Sequence, residues 1–330
     1  MVPNIIKMLL SLMLILISCE FFTNGIEWLG KKLRVGEGVV GSIFSAVGTC
    51  LPETMVPVIA ILVFGEKNLI DIGIGAIIGA PFMLSTLAFF VTGMSVVIFS
   101  SKRRKGMAMN IKSDIISRDI SFFITSFSLG ISAAFIGKNV VKNMVALFLI
   151  AIYIYYIYLT VKQDKVHLAP LDKLYFSKIF RVRSRFRIVL FQVFMALLGI
   201  ILGAHMFVVK IEAISVLFGI PAIILSLVIT PIATELPEKF NSIIWISKNR
   251  DALAMGNITG AMVFQSCIPI SIGILSTDWV LNYNAVISAL ISVVSASIVY
   301  FWIENKKSLT PVPLIISGAF YILFIISLLR

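Results

Sequence analysis

Residues 38–65 read GVVGSIFSAVGTCLPETMVPVIAILVFG, an apolar run broken by a proline and a glutamate at positions 52 and 53. The anomaly returns in residues 225–246, LSLVITPIATELPEKFNSIIWI. The hexapeptides GTCLPE (48–53) and ATELPE (233–238) lie 185 residues apart. At that same spacing Glu27 matches Glu212, Thr49 matches Thr234, Leu51 matches Leu236, Pro52 matches Pro237 and Glu53 matches Glu238. After a four-residue deletion, GAIIGA (75–80) matches GNITGA (256–261). Five identities in one register, followed by this G-x-x-x-G-A match, read as an internal duplication.

Composition sets the class in which that duplication works. Of 330 residues, 59% are hydrophobic and 13% charged, against about 25% charged in soluble domains. Apolar runs long enough to cross about 30 Å of hydrocarbon as helices fall at 5–30, 38–64, 69–100, 119–137, 141–161, 188–218, 221–247, 252–275, 281–303 and 311–329. They are too long and continuous for the strands of a β-barrel. The expected fold is an all-α integral membrane protein. Its ten transmembrane helices form two five-helix repeats, residues 1–161 and 188–330, joined by a basic linker at 162–187. An odd number of spans per copy inserts the second copy upside down, and such inverted repeats are a recurring architecture of secondary transporters.

Basic residues give the orientation. The loops after odd-numbered spans carry 21 of the 28 lysines and arginines; those after even spans carry only Lys67, Lys138 and Lys142. Positive loops stay cytoplasmic, so the linker is expected on the cytoplasmic side of the cell membrane and both termini outside. The run RVRSRFR (181–187) reads as a loop beside anionic lipid, with no nucleic-acid partner. LISC (16–19) resembles a lipoprotein processing site, but cleavage would remove most of the first span, and the span is expected to be retained. Cys19, Cys50 and Cys267 sit in apolar runs without metal-ligand spacing and read as packing residues.

Glu53 falls near the centre of the second span, Glu235 and Glu238 near the centre of the seventh. A charge there costs at least about 2.5–3.5 kcal/mol. Pro52 cannot donate to the carbonyl of Gly48, nor Pro237 to that of Ala233, and a freed carbonyl in hydrocarbon needs another partner. A cation held by the glutamate and the freed oxygens answers both deficits. Inversion sets the two LPE spans in opposition, so Glu53 and Glu238 are expected to face one another across the midplane. The shell is all oxygen, which suits Ca2+ or Na+ over soft metals. Asn257, Thr259 and Gln265 add polar atoms in the second copy, where the first has Ala76, Pro81 and Leu84. Glu20, Glu27 and Glu212 read either as lining an ion path or as snorkelling near helix ends. Lys210 is expected to pair with an acidic neighbour, and His205 to pack.

In these motifs the chain resembles the Ca2+/cation antiporter superfamily, specifically its sodium/calcium exchanger branch. The family pattern is G-T-S-L-P-E followed by G-N-x-x-G-S, in two similar copies. The resemblance implies that Glu53 and Glu238 are the central Ca2+ ligands and that Thr49 and Thr234 give oxygens to the Ca2+ and Na+ sites. The chain departs from the pattern at Cys50, Glu235, Ala80 and Ala261, where the family has serine. It departs also at Leu84 and Gln265, where the family has Asn or Asp, and at Ala76.

The expected function is a secondary antiporter exchanging Ca2+ for Na+ through a midplane site. Glu53, Glu238, Thr49, Thr234, Glu235 and Gln265 are its cation-binding candidates, with Glu53 and Glu238 holding the metal. No cofactor is expected, the partners are the transported cations and membrane lipid, and the working unit is a monomer. The main alternative couples Ca2+ or another cation to H+: Glu235 stands three residues before Glu238 on nearly the same helix face, and the two carboxylates are expected to share a proton when no metal is bound. A passive channel lacks an obvious filter sequence, and an intramembrane enzyme would need a nucleophile and base that the spans do not supply.

Overall fold

The computed structural model describes residues 2–32, 50–163 and 173–328, with the side chains of 2, 3, 163, 236–238, 240 and 241 excepted. Among these residues there are helices and turns and no β-strand. The α-helices are α1 (Val2–Lys32), α2 (Leu51–Val58), α3 (Lys67–Met83), α4 (Phe89–Phe99), α5 (Ser113–Ser132) and α6 (Asn139–Gln163), then α7 (Tyr175–Ile179), α8 (Phe186–Phe218), α9 (Ala222–Ser247), α10 (Asp251–Ser276), α11 (Tyr283–Lys306) and α12 (Pro311–Leu328). Two π-helical turns interrupt them, Ile59–Phe64 after α2 and Leu84–Ala88 between α3 and α4.

Among the described residues, eight helical stretches are long and apolar enough to cross a bilayer: Asn4–Lys32, Lys67–Lys102, Ser113–Phe135, Asn139–Lys162, Phe186–Phe218, Asp251–Ser276, Tyr283–Lys306 and Pro311–Leu328. The shorter apolar helices Leu51–Phe64 and Ala222–Glu235 fall within the two expected spans that carry the LPE motifs. The protein is a multi-pass helical membrane protein. Its exposed residues fit that setting: Leu9, Leu10, Met13 and Ile17 of α1 are 50–58% exposed. Lipid tails are as apolar as leucine, so such a face is at home in a bilayer.

The chain forms two compact units, residues 1–72 with 154–222 and residues 73–153 with 223–330. In the first, α1 packs along α8, and α2 packs on both. Small residues set the α1–α8 approach: a Cβ on Gly203 would press on Ile15 and the Ser11 carbonyl, and one on Gly199 would overlap the Ser18 hydroxyl. Close backbone approach of this kind drives helix pairing where no hydrophobic effect operates. Polar hydrogen bonds complete the unit. Gln192 Nε2 donates to the Phe21 carbonyl at 2.8 Å and to Asn24 Oδ1 at 3.0 Å. Gln192 Oε1 accepts from the Phe176 amide and Asn24 Oδ1 from the Tyr175 amide, which ties α7 to α1 and α8. His205 packs its ring 4.5 Å from that of Phe64, and no ion pair of Lys210 occurs among the described residues.

In the second unit α10 packs on α5, α12 on α4, and α11 on both α5 and α12. Trp279 is fully buried and donates its indole N–H to the Gly130 carbonyl at 2.9 Å. Ser126 of α5 and Ser266 of α10 share a hydrogen bond at 2.6 Å. Cys19, Cys50 and Cys267 are buried and form no disulfide among the described residues.

Candidate cation site

In the first LPE copy the described helix begins where the motif does. Cys50 has φ −89° and ψ 4°, outside the α region, and α2 starts at Leu51. Pro52 therefore sits in the first turn, where its missing N–H costs nothing and its fixed φ suits the helix. This differs from the mid-helix break expected from sequence; Gly48 and Thr49 lie outside the described residues. Glu53 is buried, 5% exposed, in the same first turn, and Thr54 Oγ1 donates to the Cys50 carbonyl at 2.7 Å. Pro57, four residues on, removes the N–H that would bond the main-chain carbonyl of Glu53. The helix then widens into the π turn Ile59–Phe64 and stops at Gly65, φ 67°. π turns of this type recur at functional sites.

The second copy is built differently. Helix α9 runs unbroken through Pro231 and Pro237, which deprive the carbonyls of Leu227 and Ala233 of their usual donors. Gly79 of α3 packs directly against that Leu227 carbonyl and the Pro231 ring, and Gly75 packs against the Ile223 carbonyl. The G-x-x-x-G pair of the first copy thus seats α3 on α9 at the proline-disturbed turn. In the second copy Gly256 has open space around it, so the repeated glycines do not share a role.

Thr234, 0% exposed, donates to the Thr230 carbonyl at 3.0 Å, leaving its oxygen lone pairs as acceptors. Glu235 is 3% exposed and forms an ion pair at 3.1 Å with Lys239 Nζ, itself buried. The side chain of Glu238 lies outside the described residues. Gln265 of α10 is 1% exposed, and its Oε1 accepts no hydrogen bond from the described residues. Its first-copy counterpart, Leu84, opens the π turn Leu84–Ala88. Of the predicted set, Glu53 belongs to the first unit and Thr234, Glu235 and Gln265 to the second. Among the described residues no group of three or more His, Cys, Asp and Glu gathers as a metal cluster. The first unit offers a carboxylate and a proline-freed carbonyl, the second a carboxylate, an amide, hydroxyls and proline-freed carbonyls, all hard oxygen donors of the kind Ca2+ or Na+ takes.

Two charged residues escaped the sequence reading. Lys239 follows the second motif directly and stands one turn beyond Glu235, a spacing that pairs side chains on a helix. Asp119, 3% exposed on α5, accepts from Thr259 Oγ1 at 2.9 Å and from Arg118 at 3.0 Å. An acid at the head of an apolar run was the available signal.

The sequence profile of the sodium/calcium exchanger protein family matches residues 4–162 and 188–330. The chain belongs to this family. The chain is 24% identical to the antiporter CaxA of Alkalimonas amylolytica over 283 residues, 85% of this chain and 83% of that one. Its fold resembles the H+/Ca2+ exchanger CAX, with TM-score 0.74 and 16% identity over 99% of this chain and 82% of that one. It also resembles the sodium-calcium exchanger NCX_Mj, with TM-score 0.60 and 20% identity over 99% of this chain and 98% of that one. At these identities both structural likenesses are of fold. Within the exchanger family, the buried Glu53, Thr234 and Glu235 sit on the two LPE segments, and Gln265 follows the G-N-x-x-G segment of the second copy.

Proposed function

We propose that the protein is a secondary active antiporter exchanging Ca2+ for Na+ across the cell membrane. The observation that carries this reading is the burial of Glu53 at the start of a helix that opens on one of two LPE motifs, in a chain of the exchanger family. A carboxylate at membrane depth marks an ion path by default. Ten spans in two inverted repeats, 1–161 and 188–330 about the linker, form the working architecture; the family profile's two matched stretches on either side of 163–187 support it. The site draws on Glu53 and Glu238 as carboxylates and on Thr49, Thr234 and Gln265 as neutral oxygens. Two negative charges are neutralised by one Ca2+ or by monovalent ions, so the cargoes compete for one set of ligands. Alternate exposure of such a midplane site to the two sides couples their gradients. The linker faces the cytoplasm and both termini face outward, as the basic loops require.

The rival reading takes protons as the counter-ion. Its support is the fold likeness to an H+/Ca2+ exchanger, which at 16% identity does not reach the ligands. The added carboxylate on which it relies, Glu235, is held by Lys239. Uptake of 45Ca2+ into proteoliposomes separates the readings. Uptake driven by an outward Na+ gradient supports Na+ exchange, uptake driven only by a pH gradient supports proton coupling, and uptake indifferent to both means a channel.

A further inference from the structure

The pair Glu235–Lys239 calls for its own explanation. Its nitrogen and oxygen are 3.1 Å apart, and the side chains are 3% and 7% exposed. On a wet helix such a pair is a minor stabiliser. Buried, it gives no net advantage over two apolar side chains, and stability does not account for a lysine placed one residue after a motif that receives cations.

The duplication supplies the comparison. At the 185-residue spacing, Glu235 corresponds to Cys50 and Lys239 to Thr54. In the first copy these two positions already touch, because Thr54 Oγ1 bonds the Cys50 carbonyl. The second copy therefore differs by two substitutions of opposite charge at positions one helical turn apart and in contact. Their charges cancel within that turn, and Glu53 and Glu238 keep matching places in the two LPE segments.

We infer that Lys239 is a tethered counter-cation. It occupies the place beside Glu235 that a monovalent cation would otherwise take, and so fixes how many monovalent ions the exchanger binds against one Ca2+. The inference rests on the reading of 233–238 as a cation-binding segment. Its chemistry is that of a buried carboxylate, which stays charged only when paired or coordinated. The ammonium supplies that pairing from within the chain.

Removing the ammonium should open a Na+ site at Glu235. Equilibrium binding of 22Na+ to purified protein in detergent, at pH 8 and without Ca2+, reads this directly. Lys239→Met should bind about one more Na+ per chain than wild type, since the buried carboxylate loses its ammonium. Lys239→Gln, which keeps a hydrogen-bond donor toward Glu235, should show the same gain and stands in if the methionine variant does not fold. Glu235→Ser/Lys239→Met, which removes both charges, should return to the wild-type count. Folded Lys239→Met or Lys239→Gln protein that binds no additional Na+ overturns the inference. The count needs no transport. If wild-type liposomes show no Na+-driven Ca2+ uptake, the exchange reading fails on that measurement while the 22Na+ count still decides the role of Lys239.

Discussion

Arg103 and Asp251 meet through both guanidinium nitrogens and both carboxylate oxygens at 2.7 Å, with side chains 1% and 2% exposed. Arg103 also donates to the carbonyls of Ile246, Gly106 and Ala108, and Asp251 accepts the Asn110 amide at 2.7 Å. One bidentate pair thus fastens the basic loop after α4 to the end of α9 and the start of α10. Bidentate geometry and full hydrogen bonding are what make a buried ion pair tolerable.

Asp251→Asn should therefore lower stability by about 3–5 kcal/mol, the usual cost of stranding one buried charge. Thermal unfolding in detergent is the check. The double variant Arg103→Met/Asp251→Leu should lose less than Asp251→Asn alone. A single variant as stable as wild type would mean the pair is not closed in the membrane.

The glycines of the duplicated motif should respond in opposite ways. Gly79→Ala drives a methyl into the Leu227 carbonyl and the Pro231 ring, neither of which can step aside, and overpacking of this type costs about 1–3 kcal/mol. Gly256→Ala meets nothing within 4 Å and gains up to about 1 kcal/mol of helix propensity. Comparable melting points for the two variants would contradict the seating of α3 on α9.

Asp119 and Thr259 should be energetically coupled. Their 2.9 Å hydrogen bond is buried and its acceptor is a carboxylate, so Thr259→Val should cost about 1.5–3 kcal/mol. In a double-mutant cycle with Asp119→Asn, the coupling should reach at least about 0.5 kcal/mol. Additive losses would show that the bond contributes nothing.

Orientation is open to labelling. Cys19, Cys50 and Cys267 are buried and should leave a quiet background for introduced cysteines. A cysteine at Ser177 should react only from the cytoplasm, and cysteines in tags at either terminus only from outside. Termini that label from opposite sides would remove the ten-span count.

Much of this molecule could be read from its residues. The expected spans 188–218, 252–275 and 311–329 lie within two residues of Phe186–Phe218, Asp251–Ser276 and Pro311–Leu328, because unbroken hydrophobicity ended by charge fixes both identity and length. The expected span 119–137 begins late, since α5 starts at Ser113: Arg118 looks like a loop residue in one dimension but pairs with Asp119 inside the fold, and Asp119 also accepts from Thr259. The non-helical Cys50 and the π turn Leu84–Ala88 leave no mark in hydrophobic periodicity, because both depend on how the backbone settles around nearby prolines. At the candidate site the carboxylates were legible as a violation of the membrane's rules. The compensating charge of Lys239 was not, since it appears only when side chains one turn apart are paired in space.

The proposed exchange rests on Glu53 and Glu238, which carry Ca2+ across the membrane against Na+. The decisive measurement is 45Ca2+ uptake into proteoliposomes under an outward Na+ gradient, comparing wild type with Glu53→Gln and Glu238→Gln. An amide keeps the size of the side chain but not the charge that replaces Ca2+ hydration. Wild type should show Na+-driven uptake and neither variant any above empty liposomes, with both variants still folded. Wild-type uptake in either variant would remove that carboxylate from the Ca2+ path.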